Sequence, residues 1–352
     1  MNDATVISVD AGTGRLRLGS DTERGIRRTG TTRPRYVDER TGRAPAAHHL
    51  ERIRRLAVPP AWTDVWISAD PDSHVQATGR DSRGRKQYRY HPSFVATRSS
   101  DKFGGLVPFG RALGGLRRQV ERDLAATSLT HDHVVAVVVR LLDLTRLRVG
   151  NESYARSNRS FGLTTLRNRH VTVHGSTVSL KFRGKSAHLF DVTVDDPHLA
   201  RIVRRCQHLP GQCLFQYLDE SGSVRQVGST DVNDYVGAHG AAGATAKTFR
   251  TWGASTLAAE QLARAARADE PSNAGLRGVI DEVAAALGNT PAVCRSSYIH
   301  PTIIDTYLDG TLPDRWEATP RGPTGLVAAE RRLLRVLDGR RTRGHERTSA
   351  HR

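Results

Sequence analysis

The chain has 352 residues, with 53 Lys plus Arg against 36 Asp plus Glu and a formal net charge of +17. That length accommodates two domains and a large core. Excess positive charge says nothing about fold but argues for a polyanionic partner, with DNA, RNA and an anionic membrane surface all in play. The longest aliphatic run, 134–139, falls far short of the ~18 residues of a membrane span, so no membrane partner is expected. The first residues show no basic region followed by an apolar one, and no secretory signal is expected. Cys206, Cys213 and Cys294 are odd in number and widely spaced. They match neither a disulfide framework nor a metal-binding pair, and a reducing cytoplasm is the expected compartment.

Only five of the cations are lysines: Lys86, Lys102, Lys181, Lys185 and Lys247. Codon bias accounts for the general excess of arginine. Arginine binds phosphate at least as well as lysine but does not give up a proton near neutral pH. A lysine retained in such a chain is therefore a candidate proton donor.

Residues 1–24 read as a poorly ordered polar lead-in. Residues 25–95 read as a β-rich N-terminal domain. It has a helix over 46–57 with Leu50, Ile53, Leu56 and Ala57 on one face, and strands over 62–68, 74–78 and 86–90. A linker rich in Pro, Ser and Gly is expected over 96–105. A larger, mainly helical domain follows over 106–338. Helices are expected over 109–126 and 131–147, then a group of strands over 170–174, 177–182 and 189–194. The turn Arg183-Gly184-Lys185-Ser186 places Lys185 on a hairpin loop. Helices return over 197–208, 229–239, 244–268 and 272–287. Thr290-Pro291 then reads as a cap with proline at the first helical position, which sets Tyr298 near the end of a short helix. A last amphipathic helix covers 326–337, and 339–352 is a basic tail expected to be disordered. The fold class is thus α+β, a small β-rich domain before a mainly helical domain that contains a short hairpin sheet.

Five landmarks occur in order along the second domain: Arg148, Lys185, Arg250, Asn289 and Tyr298. Together they supply what is needed to attack a phosphodiester without metal. A tyrosine phenol is a usable nucleophile once nearby cations favour the phenolate. Two guanidiniums and an amide N–H can meet the charge that builds on the non-bridging oxygens. A lysine can protonate the departing sugar oxygen. No carboxylate cluster for two-metal chemistry is evident, and no Gly-x-x-x-x-Gly-Lys-Ser/Thr loop implies ATP. No cofactor is expected. His131-Asp132-His133 reads as a helix start rather than a metal site.

The motifs carrying these residues are Arg148-Val149-Gly150-Asn151-Glu152, Gly162-Leu163-Thr164-Thr165-Leu166-Arg167, Phe182-Arg183-Gly184-Lys185-Ser186, Lys247-Thr248-Phe249-Arg250-Thr251-Trp252 and Gly288-Asn289-Thr290-Pro291 through Tyr298. In order and spacing the set resembles the type IB DNA topoisomerases of the small bacterial and poxvirus kind. The likeness covers roughly residues 25–338. The segment from Arg80 to His91 is similar to the family segment that lies against DNA. The resemblance implies a 3′-phosphotyrosyl intermediate, relaxation of positive and negative supercoils by strand rotation, and resealing without ATP or metal. By correspondence it assigns catalysis to Arg148, Lys185, Arg250, Asn289 and Tyr298. Lys247 is the runner-up acid or a partner to Lys185. Lys86, Gln87, Tyr88 and Tyr90 are candidates for DNA contact. Two basic domains on a flexible connection are expected to clamp duplex DNA from opposite sides as a monomer, and the expected location is the cytoplasm, in association with the nucleoid. Poxvirus and eukaryotic enzymes carry histidine where this chain has Asn289; an amide still donates to phosphate but does not titrate.

Each landmark taken alone has an ordinary explanation. Asn289-Thr290-Pro291 caps a helix, Lys181 and Lys185 solubilise a hairpin, and a tyrosine is commonly half-buried. Five ordered motifs outweigh those readings. Two rivals stay open at this point. A tyrosine recombinase uses a related residue set, but its second arginine normally follows a histidine three residues earlier, where this chain has Lys247. A non-catalytic DNA-binding protein would account for the charge equally well but requires neither Tyr298 nor Lys185.

Overall fold

The apolar segments flanking Asp70-Pro71-Asp72 pair as antiparallel strands in the computed structural model, with Trp66 opposite Thr78 and Ile67 opposite Ala77. The structure describes residues 6–7, 16–30, 33–95, 103–317 and 322–339. The chain divides into two units, Met1–Lys102 and Phe103–Arg352.

The first unit is built on a five-stranded antiparallel sheet. Its strands are β3 (Ile26–Thr29), β4 (Arg35–Asp38), β5 (Thr63–Ile67), β6 (Val75–Arg80) and β7 (Lys86–Tyr90), in spatial order β4-β3-β5-β6-β7. Helix α1 (Ala47–Leu56) lays Ile53 and Leu56 on Ile26, Val65, Ile67 and Ala77. The expected polar lead-in needs correcting. Strand β1 (Val6–Ile7) pairs with β2 (Leu16–Arg17), Leu16 is buried, and Arg17 holds Glu23 at 2.7 Å and Asp70 at 2.8 Å. One leucine among charged residues carries no periodicity, and Asp70, which holds Arg17, lies 53 residues on. Strands β3 and β4 are also absent from the sequence reading, because Ile-Arg-Arg-Thr alternates too weakly to stand out. Residues 1–5 and 8–15 lie outside the described residues.

The second unit is organised around α3 (His131–Thr145), whose aliphatic run 134–139 is buried on all sides. Around it pack α2 (Leu106–Leu124), α5 (Pro197–Gln207), α6 (Ser229–His239) and α7 (Ala246–Ala268). Between α3 and α5 lie the short α4 (Glu152–Asn158) and a three-stranded antiparallel sheet. The sheet comprises β8 (Val171–His174), β9 (Thr177–Arg183) and β10 (Leu189–Asp195), with β9 central. A two-stranded ribbon, β11 (Gln216–Leu218) with β12 (Val224–Gln226), follows. Helix α8 (Asn273–Leu287) starts behind Ser272, whose hydroxyl accepts the Gly275 N–H at 3.1 Å. It stops at Gly288, which takes the left-handed conformation at φ 60°. Helix α9 (Pro291–Ser297) starts behind Thr290, as its Thr-Pro sequence demands. Then come α10 (Pro301–Leu308), α11 (Leu312–Glu317) and α12 (Ala328–Asp338).

Helix α12 is fastened by a partly buried ionic knot. Arg117 of α2 holds Asp143 at 2.7 Å and Glu330 at 2.7 Å, while Trp252 Nε1 donates to Glu330 at 3.1 Å. Every charge in the knot has an opposite partner, which is the condition for burying it. Of the expected linker, 96–102 lies outside the described residues, whereas Phe103 is a buried residue of the second unit. Of the expected tail, only Gly339 is described, as the cap of α12. Among the described residues no helix is long and apolar enough to cross a membrane.

Candidate active site

Arg148 follows α3 on an irregular segment that has no helical bonds to hold it. The Gly162-Leu163-Thr164-Thr165 segment supplies the support. The Leu163 N–H donates to the Arg148 carbonyl at 2.9 Å and the Thr164 N–H to that of Val149 at 2.7 Å. The two chains approach so closely that a Cβ on Gly162 would lie 2.6 Å from the Gly150 Cα. This accounts for two glycine-bearing motifs being needed to present one arginine.

Arg250 projects from α7 and is only 3% exposed. Its guanidinium donates to two backbone carbonyls, that of Arg146 and, at 2.8 Å, that of Leu287. Burial, with Arg148 nearby, pushes its pKa down to about 10, so it remains charged at neutral pH. Arg148 Nη2 donates to Asn289 Oδ1. Asn289 itself is fixed by its N–H to the Ala284 carbonyl at 2.9 Å.

Tyr298 caps α9 and is 8% exposed. The Arg250 guanidinium carbon lies 5.2 Å from its ring centroid and the Lys247 Nζ 5.9 Å. Burial alone would raise the phenol pKa. Arg250, Arg148 and Lys247 outweigh it, and the phenol sits below its ordinary value. The structure thus gathers Arg148, Lys247, Arg250, Asn289 and Tyr298. Three donors in this group, Arg148 Nη1, Arg250 Nε and Asn289 Nδ2, are buried and find no acceptor among the described residues.

Lys185 stands apart, exposed in the turn between β9 and β10. Its ammonium makes no hydrogen bond or ion pair among the described residues. Its hairpin nevertheless docks beside the cluster, because a Cβ on Gly288 would lie 2.8 Å from His188 and 2.9 Å from Phe190. Gly288 precedes Asn289, so the hairpin and the α8–α9 turn meet where no side chain fits.

On the first unit, β7 divides its four candidates between two faces, as strand geometry requires. Tyr88 and Tyr90 are 44% and 41% exposed and stack with ring centroids 5.8 Å apart. Lys86 shares their face, paired to Asp21 at 2.6 Å. Gln87 points the other way and donates to Asp81 at 2.9 Å. Among the described residues no three His, Cys, Asp or Glu side chains are grouped to hold a metal. The His133 ring instead donates to the Ser128 carbonyl at 2.7 Å. Sequence reasoning missed the acceptors of Arg250, which are backbone carbonyls and so have no residue signature. It also missed Ser255, whose hydroxyl donates to the Tyr298 carbonyl at 3.1 Å.

The family model for the eukaryotic DNA topoisomerase I catalytic core matches residues 91–311, and that for the bacterial DNA topoisomerase IB N-terminal domain matches 34–81. DNA topoisomerase 1B of Acanthamoeba polyphaga mimivirus is 32% identical over 267 residues, spanning 73% of this chain and 80% of its own. DNA topoisomerase 1B of vaccinia virus (strain Copenhagen) is 22% identical over 274 residues, spanning 75% and 83%. Among solved structures, the pre-cleavage complex of the XerH site-specific recombinase with difH aligns over 63% of this chain and 56% of its own. Its TM-score is 0.33 at 14% identity, too low a likeness to carry an argument. The recombinase and non-catalytic readings therefore give way, and the chain belongs to the type IB DNA topoisomerase family.

Proposed function

We propose that Tyr298 is the residue through which this type IB DNA topoisomerase holds the nicked strand. The phenolate oxygen attacks the scissile phosphorus, the bond from phosphorus to the 5′ oxygen breaks, and a 3′-phosphotyrosyl link forms. Arg148, Arg250 and Asn289 hold the non-bridging oxygens. Lys185 gives its proton to the departing 5′ oxygen and recovers it on resealing. Strand rotation between the two steps relaxes supercoils of either sign. The covalent link conserves the bond energy, so no ATP is consumed.

The observation that carries this reading is the set of three buried, unpartnered donors on Arg148, Arg250 and Asn289, beside a phenol already biased toward ionisation. A buried donor without an acceptor is costly, and phosphate oxygens would satisfy all three. Trapping the protein on suicide duplex DNA and mapping the modified residue tests it. Tyr298→Phe is expected to bind DNA as the wild type does and to form no adduct. An adduct on any other residue would overturn the assignment. The same protein is expected to relax positive and negative supercoils in EDTA without ATP.

A further inference from the structure

Between α9 and α10 the backbone leaves helical geometry at Tyr298, with φ −135° and ψ −19°. The Tyr298 N–H still reaches the Cys294 carbonyl at 2.9 Å. The Tyr298 carbonyl and the His300 N–H, however, fall outside both helices, and Pro301 has no N–H to offer. One hydroxyl serves both groups. Ser255 Oγ donates to the Tyr298 carbonyl at 3.1 Å and accepts from the His300 N–H at 3.0 Å. Ser255 is fully buried. It lies five residues beyond Arg250 and eight beyond Lys247 on α7, about 7.5 Å and 12 Å along the axis at 1.5 Å per residue. The same rigid helix therefore grips the Tyr298 main chain at one level and presents both cations to its ring at another.

We infer that the Ser255 hydroxyl is a positioning group that sets the register between the Tyr298 phenol and the cations of α7. This rests on the reading of Tyr298 as the nucleophile. Ser255 is fully buried and bonds main-chain atoms of Tyr298 and His300, not the phenol. It fixes the main chain from which the phenol is aimed. Tyr298 faces Lys247 and Arg250 from α7 and Arg148 from the segment after α3. The nearby Cys294 thiol, pushed up to about 11 by burial, is neutral over the working range. If the main chain slips, the phenol loses cations and gains none.

The test is single-turnover cleavage of suicide duplex DNA by the full chain across pH, with Ser255→Ala, Ser255→Thr and Tyr298→Phe. Ser255→Ala is expected to bind DNA with unchanged affinity and to cleave roughly 10–100-fold more slowly, the scale of two lost hydrogen bonds and a misaimed nucleophile. The acid limb of its rate profile is expected to move to higher pH, because a phenol further from its cations ionises later. Ser255→Thr, which keeps the hydroxyl, should return the limb toward its original place. A slower rate with an unmoved limb would make Ser255 merely structural and overturn the inference, as would an unchanged rate. Should Ser255→Ala fail to fold, Ser255→Cys, with a weaker donor of similar size, carries the same expectation at smaller amplitude. An adduct formed by Tyr298→Phe would instead overturn the underlying assignment. Wild-type behaviour of Ser255→Ala beside an adduct-free Tyr298→Phe rejects only the positioning role.

Discussion

Arg250 is buried, charged and held by two backbone carbonyls rather than by a carboxylate. A carboxylate partner would neutralise it. Carbonyl dipoles fix its geometry and leave its charge available to phosphate. Lys185 has the opposite character, being exposed and without a partner among the described residues. The two residue types match two tasks, a fixed charge and a mobile proton. If Lys185 protonates the leaving oxygen, Lys185→Ala should slow cleavage by about 10²–10⁴-fold. A substrate with sulfur in place of the 5′ oxygen, which departs as a thiolate, should then be cleaved almost as fast as by the wild type. Arg148→Ala and Arg250→Ala should gain nothing from sulfur. Lys247 lies 5.9 Å from the Tyr298 ring, and rescue of Lys247→Ala but not of Lys185→Ala would exchange the two roles. The residues named from sequence share one property: each carries a distinctive side chain inside an ordered motif. Ser255, the Arg146 carbonyl and the Leu287 carbonyl went unseen because a buried serine and two peptide oxygens look alike wherever they occur.

At the scale of elements, the α8–α9 turn and the β9–β10 hairpin meet at Gly288. Two requirements coincide there, a left-handed backbone and the absence of a side chain. Gly288→Ala is expected to cost about 1–3 kcal/mol of stability from backbone strain and displacement of His188 and Phe190. It should also slow cleavage, because Asn289 and the Lys185 hairpin both hang on that junction. Chemical denaturation and a cleavage time course read the two effects separately, and wild-type values in both would remove Gly288 from this role. Long amphipathic elements such as α2, α3, α7 and α8 were legible from periodicity and caps, as were the three strands β8 to β10. Among the short elements α9 was legible from its Thr-Pro cap, but several others were not. The seven residues of α4 form no apolar stripe, β11 and β12 have three residues each, and α10 and α11 are short and carry Pro301 and Pro313 in their first turns. Their stability comes from packing on neighbours distant in sequence, which no local window contains.

For the whole molecule, the net charge of +17 makes the duplex an electrostatic partner, and DNA affinity should fall steeply with salt as condensed counterions are released. The expectation from sequence that the two units close on DNA from opposite sides remains a proposal. It predicts that duplex DNA shields the 96–105 segment from protease, and equal cutting with and without DNA would count against it.

The ionic knot on α12 has a consequence for the order of synthesis. All five motif residues, from Arg148 to Tyr298, are polymerised before Glu330. Yet the helix that carries Arg250 is braced through Trp252 by that glutamate, and until it arrives Arg117 has only Asp143 beside it. A growing chain thus contains all five proposed site residues while still lacking one brace on the helix that carries Arg250. Strand-breaking competence is therefore expected only after α12 has emerged and docked.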